Sequence, residues 1–101
     1  MKILVADDES EIRKILGILL AGEGHTITEA KNGREAVDAL NRDKDIDLVI
    51  MDIKMPRLDG ISAAREIRGR SSVPILFLTA RSLAGDMDSA YAAGGDDYIV
   101  K

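Results

Sequence analysis

The 101-residue chain has no cysteine and no tryptophan, only two prolines and a single histidine. Without cysteine there is no disulfide framework and no thiolate metal site, a usage that fits a reducing compartment. Positive charge is not in excess either: 14 basic against 18 acidic residues leave a net charge of -4. Nucleic-acid binding modules usually carry a basic footprint, so direct contact with nucleic acid is not expected. Long apolar runs are missing. A membrane span takes about 18 consecutive apolar residues, whereas Ile3-Leu4-Val5-Ala6 is broken at once by Asp7-Asp8-Glu9. That start is no signal peptide either, so the cytoplasm is the expected compartment and no membrane contact is expected. A chain of this length makes one domain, 1–101, with a core that needs no covalent staple.

The central stretch is Leu48-Val49-Ile50-Met51-Asp52, continuing through Lys54, Met55-Pro56 and Asp59-Gly60. Its apolar run reads as a strand buried on both faces, as in a parallel sheet. It ends on a carboxylate, after which Pro56 forbids regular helix and Asp59-Gly60 opens the next element. Ile3-Leu4-Val5-Ala6 reads as a first strand, His25 to Glu29 as a shorter second one, Ile75-Leu76-Phe77-Leu78 as a fourth ending at Thr79, and Tyr98-Ile99-Val100 as a fifth. Between them, Ile12, Ile15, Leu16, Leu19 and Leu20 repeat at helical spacing over about Ser10 to Ala21. Asn32 is a candidate cap for a helix burying Ala36, Val37 and Leu40, and Asp59 for one running to Arg68 with Ile61, Ala64 and Ile67 inward. A further helix is expected from Leu83 to Ala93, closed by Gly94-Gly95. Strands and helices alternate with short connections, which predicts an α/β fold of right-handed βαβ units around a parallel sheet.

The residues just past the strands are Asp7 and Asp8, Asp52, Thr79 and Lys101. In a parallel sheet these ends share one edge, where open α/β folds bind ligands. Two carboxylates about 4 Å apart repel by roughly 4 kcal/mol at an effective dielectric of 20, so a cation must accompany them. Lys101 supplies one charge. Mg²⁺ suits the remainder, since it takes one or two carboxylates, a carbonyl and several retained waters.

Asp7-Asp8-Glu9, Asp52 with Met55-Pro56 and Asp59-Gly60, Thr79-Ala80, and the closing Gly94-Gly95-Asp96-Asp97-Tyr98-Ile99-Val100-Lys101 resemble, in that order, the receiver domain of two-component response regulators. The resemblance covers essentially the whole chain. It implies a doubly wound five-stranded sheet in the flavodoxin-like order 2-1-3-4-5. It implies that Asp52 accepts a phosphoryl group from the phosphohistidine of a sensor histidine kinase, acting as phosphoacceptor and not as a turnover enzyme. Asp8 is then a direct Mg²⁺ ligand, Asp7 acts mainly through water, and Asp52 and the backbone carbonyl of Lys54 complete the protein's share. Thr79 and Lys101 each meet a phosphoryl oxygen. Movement of Thr79 vacates space for Tyr98, and the altered surface is read by a downstream output domain or protein.

Two features depart from the family pattern. Lys54 and Arg81, two residues after Asp52 and Thr79, stand where receivers border the path of the hydrolytic water, so both are expected to alter the lifetime of the acyl phosphate. The chain stops at Lys101 where receivers continue into a fifth helix, so it reads as C-terminally incomplete. The helix at Ser10 to Ala21 then has an apolar face to be covered by another copy or a partner. Two other functions remain open on the residues alone. One is a Mg²⁺-dependent aspartyl phosphohydrolase, a class that wants a second acid where Lys54 stands. The other is an interaction module that is not phosphorylated. His25 is expected at a surface or helix exit, and Met51, Met55 and Met87 in the core.

Overall fold

The computed structural model describes residues 1–79 and 96–100, with residues 79 and 97–100 described by their backbone alone. Five strands, β1 (Lys2–Ala6), β2 (Thr26–Ala30), β3 (Leu48–Asp52), β4 (Ile75–Thr79) and β5 (Asp97–Val100), form one sheet in the order β2-β1-β3-β4-β5. Every neighbouring pair is parallel. Among the described residues there are three helices, α1 (Ser10–Gly22), α2 (Gly33–Arg42) and α3 (Gly60–Arg68). The helix expected from Leu83 to Ala93, with its Gly94-Gly95 terminator and Met87, lies outside the described residues. None of the described helices is long and apolar enough to cross a membrane.

Strand side chains alternate between the two faces of the sheet, and that alternation sorts the core. Leu4 and Ala6, Val49 and Met51, and Phe77 pack with Ala36, Val37 and Leu40 of α2 and Ala63, Ala64 and Ile67 of α3. Ile3, Val5, Ile50 and Leu78 face the other way, against Ile12, Leu16 and Leu20 of α1. The buried face of α2 is the expected one. In α3 it is turned toward Ala63, which is fully buried, while Ile61 is only half-buried. The five-residue stripe of α1 is wider than the face the sheet covers: Ile15 and Leu19 stand 54% and 63% exposed, together with Ile18 at 64%.

Capping chemistry sets where α2 and α3 begin. The Asn32 side chain accepts from Glu35 N–H at 2.9 Å, and Glu35 reaches back to Lys31 N–H at 2.9 Å. Asp59 accepts from Ser62 N–H at 2.8 Å. At the amino edge of the sheet, Arg68 donates to the carbonyls of Ser71 and Val73 and to Asp96, whose carboxylate also accepts from Ile75 N–H at 2.7 Å. This one arginine ties the starts of β4 and β5 to the end of α3. Lys2 and Asp43 pair at 2.7 Å. Their mutual hydrogen bond raises the ammonium's pKa and, with the Asp45 N–H, lowers the carboxylate's. The contribution of that pair is present at neutral pH and is lost as Asp43 protonates in acid or as Lys2 deprotonates in base.

Two glycines mark places where helix backbone lies directly on the loop that follows β3. Gly60 donates to Ile53 O at 2.7 Å, and a Cβ there would collide with the backbone carbonyl of Asp52. Gly33 donates to Leu58 O at 2.9 Å, and a Cβ there would collide with the same carbonyl. Alanine is ordinarily favoured over glycine in a helix by about 1 kcal/mol. At position 60 the sign reverses: Gly60→Ala is expected to destabilise by about 1 to 3 kcal/mol in urea unfolding, because β3 and α3 must separate to admit the methyl group.

Candidate functional site

The acids are brought together by strand register. Ala6 pairs with Met51, so the next residues, Asp7 and Asp52, stand side by side at the carboxyl ends of β1 and β3. Alternation gives them the same face. Val5 and Ile50 belong to the core beneath α1, and Asp7 and Asp52 lie two residues beyond them. Asp7 is fully buried, Asp52 is 4% exposed, and Asp8 is exposed. One carboxylate oxygen from each of Asp7, Asp8 and Asp52 lies within 4.8 Å of the other two.

Asp7 is anchored at its N–H, its carbonyl and one carboxylate oxygen. Its N–H donates to Ala30 O at 3.1 Å, and its Oδ1 accepts from Glu9 N–H at 2.9 Å. Its carbonyl accepts from the Arg13 Nη1 at 2.6 Å. The cap position of α1 is Glu9, which makes no side-chain cap bond, so the Asp7 carboxylate serves the turn before the helix. The loop after β3 is equally constrained. Leu58 N–H donates to Pro56 O at 2.7 Å around Arg57, which has φ 69°, a tight three-residue turn in the left-handed region. Arginine is strained there, and the turn is held because Leu58 O is fixed by Gly33.

Beside the acids opens a cleft of about 840 Å³ between this loop and the first turns of α3, lined among others by Asp8, Lys54, Met55, Pro56 and Arg65. Lys54 is exposed at its edge. The Ile53 carbonyl is already engaged by Gly60, so the Lys54 carbonyl is the next backbone oxygen along the loop. Leu78 pairs with Asp52 and Thr79 with Val100, which puts the Thr79 backbone at the same edge one residue beyond the partner of Asp52. Tyr98 pairs with Phe77 in β5. Lys101 and Arg81 lie outside the described residues. His25 is half-buried, just after α1 and before β2, its Nδ1 3.0 Å from the Met1 amino group and away from the acids in the chain. Met51 and Met55 are in the core.

The donor set fits a hard divalent cation. All three groups are carboxylates, they converge at one point, and burial of two of them strengthens their repulsion. The exposed Asp8 leaves one side open to water, which suits an ion that retains part of its hydration shell. Two features were not legible in the sequence. Arg13, beside the apolar stripe, reads as an ordinary surface cation until its partners Glu29 and Asp7 are seen. The contact between Gly33 and the loop after β3 joins residues 25 apart whose only sequence signal is a glycine after a cap.

Comparison with known proteins agrees with this geometry. Residues 3–101 match the response regulator receiver domain family. The transcriptional regulatory protein ResD of Bacillus subtilis is 44% identical over 100 residues, covering 99% of this chain and 41% of that protein. A probable transcriptional regulator, ycf27, of Guillardia theta is 43% identical over 100 residues, covering 99% and 39%. The chain thus spans about two fifths of the length of these curated relatives. Among solved structures, the response regulator TrrA from Thermotoga maritima in complex with Mg²⁺-BeF superposes with a TM-score of 0.87 at 40% identity, covering 99% of this chain and 85% of that one. The receiver domain of a sensor histidine kinase from Pseudomonas aeruginosa, with magnesium coordinated in its active-site cleft, gives a TM-score of 0.90 at 36% identity, covering 99% and 84%. With the family matched over residues 3–101 and the sheet order and acidic edge alike in place, this chain belongs to the receiver domains of two-component response regulators.

Proposed function

We propose that the 101 residues act as one receiver unit, a switch in which Asp52 accepts a phosphoryl group from the phosphohistidine of a sensor histidine kinase. The observation that carries this reading is the convergence of Asp7, Asp8 and Asp52 within 4.8 Å at the carboxyl edge of the sheet. Asp8, Asp52 and the Lys54 carbonyl would hold Mg²⁺ directly and Asp7 mainly through water. The ion supplies charge stabilisation to phosphoryl oxygens as negative charge builds on them. The chain's own contribution is positioning. β3 holds the Asp52 carboxylate, and Gly60 fixes the backbone behind it. A carboxylate oxygen attacks phosphorus, a P–O bond forms as the P–N bond of the phosphohistidine breaks, and the imidazole nitrogen keeps the electron pair. The product is an acyl phosphate.

In this reading Thr79 and Lys101 each address a phosphoryl oxygen, and Tyr98 follows Thr79 when the added charge draws it in. The outcome is a shift between two populations of surface, read by an output domain or protein. Receiver domains work between histidine kinases and output domains, and the curated relatives that extend beyond this chain are named transcriptional regulators. The chain is a phosphoacceptor that assists its own chemistry and does not turn over a substrate, and its place is the cytoplasm. The apolar face of α1 formed by Ile15, Ile18 and Leu19 supports self-association of the chain.

Incubation with phosphoramidate and Mg²⁺ is expected to give one base-labile phosphoryl adduct per chain, absent without Mg²⁺ and in Asp52→Asn. Rapid phosphate release with no adduct accumulating would mark a hydrolase, and no reaction an interaction module. Lys54→Ala is expected to change the decay rate of that adduct several-fold, an unaltered rate removing the Lys54 side chain, though not its backbone carbonyl, from the site. Sedimentation velocity is expected to show concentration-dependent dimers, and a monomer throughout would leave α1 uninvolved.

A further inference from the structure

Arg13 is the most buried cation among the described residues, and nothing in the proposed chemistry uses it. Its residue exposure is 9%, although it lies in the second turn of a helix whose apolar neighbours Ile15 and Leu19 are more than half exposed. Burying a guanidinium is costly unless its donors are satisfied and its charge is paired. Here the fork is used in two directions. Nε donates to Glu29 Oε1 of β2 at 3.1 Å, and Nη1 donates to the Asp7 backbone carbonyl at 2.6 Å. The Glu29 side chain is 57% exposed, so that ion pair is largely screened and does not by itself repay burial of the arginine.

The second contact gives the burial a purpose. Asp7 and Asp8 leave β1 as consecutive residues and both aim carboxylates at the same point as Asp52. Their repulsion favours any backbone motion that spreads them apart. On one side this is opposed where Asp7 N–H meets Ala30 O. Arg13 closes the other side, at the peptide linking Asp7 to Asp8. Residues 29 and 30 at the end of β2 therefore hold both ends of Asp7, one directly and one through Arg13. We propose that Arg13 is a positioning residue for the cation site, fixing the Asp7-Asp8 peptide and setting a buried positive charge behind two carboxylates. The inference rests on the reading that Asp7, Asp8 and Asp52 bind Mg²⁺.

Partners that orient metal ligands without touching the metal typically govern affinity by about 10- to 100-fold. Calorimetric Mg²⁺ titration of the whole chain tests the assignment without reference to phosphorylation. Arg13→Ala is expected to weaken Mg²⁺ binding about tenfold or more, and Glu29→Gln to weaken it in the same direction by less. Arg68→Ala serves as the control, since it breaks a clamp of the same kind at the opposite edge of the sheet and is expected to lower thermal stability while leaving Mg²⁺ affinity unchanged. If Arg13→Ala does not fold, Arg13→Lys is read on the same scale, because it keeps the charge and the stem but has no fork to span Asp7 and Glu29. Unchanged affinity in the folded Arg13 variant, or an equal loss in Arg68→Ala, overturns the assignment. If the unaltered chain itself takes up no Mg²⁺, the reading of the acidic site falls, and this inference falls with it.

Discussion

Mutual repulsion among Asp7, Asp8 and Asp52 is the constraint to which the carboxyl edge of the sheet is built. Two of these acids are buried, and one oxygen from each lies within 4.8 Å of the others. Left to side-chain freedom such groups would separate. They do not, because Asp52 ends β3 and Asp7 and Asp8 directly follow β1, two neighbouring strands paired at Ala6 and Met51 and buried on both faces. The hydrophobic core thus does electrostatic work, holding charges at a spacing that a small divalent ion would relieve.

Around that edge the chain spends its unusual local features. Gly60 lets the first residue of α3 lie on the Asp52 carbonyl, and Gly33 lets α2 brace the turn at Leu58. Arg57 tolerates a left-handed backbone within the same loop. Arg13 and Glu9 hold Asp7 by its carbonyl and its carboxylate. Each of these features bears on the few residues at the carboxyl ends of β1 and β3. At the amino edge Arg68 and Asp96 join α3, β4 and β5.

The sequence was most readable where one local rule decides the outcome. Apolar runs flanked by acids identified β1 and β3, and Asn32 and Asp59 announced caps that the structure contains. Parallel order and the shared edge followed from alternation of elements, and the family resemblance supplied the strand order that pairing bears out. Readability failed where position depends on two surfaces at once. Periodicity marked five apolar residues on α1, but which of them the sheet covers is decided by its width and by the neighbouring elements, so Ile15 and Leu19 are exposed. Ala63 outranks Ile61 in burial because the elements around α3 decide which of its faces is covered, which a hydrophobic stripe does not express. Arg13 carries no signal of its own, since its burial comes from a glutamate on another element and from a backbone carbonyl.

The glycine contacts belong to the same class. A glycine next to a cap residue is unremarkable as sequence, and its meaning comes only from the strand or loop that lies against it. Stability and site geometry are coupled at these points, because the backbone that seats Asp52 is also the packing surface of α3. The central claim is that this seat places one aspartate beside a cation held by its neighbours. A crystal structure of the chain grown with Mg²⁺ and beryllofluoride tests it most directly: the account predicts an ion touching Asp8 and Asp52, with beryllium bonded to the Asp52 carboxylate. An ion bound elsewhere, or an unmodified Asp52 with the three acids splayed apart, would contradict it.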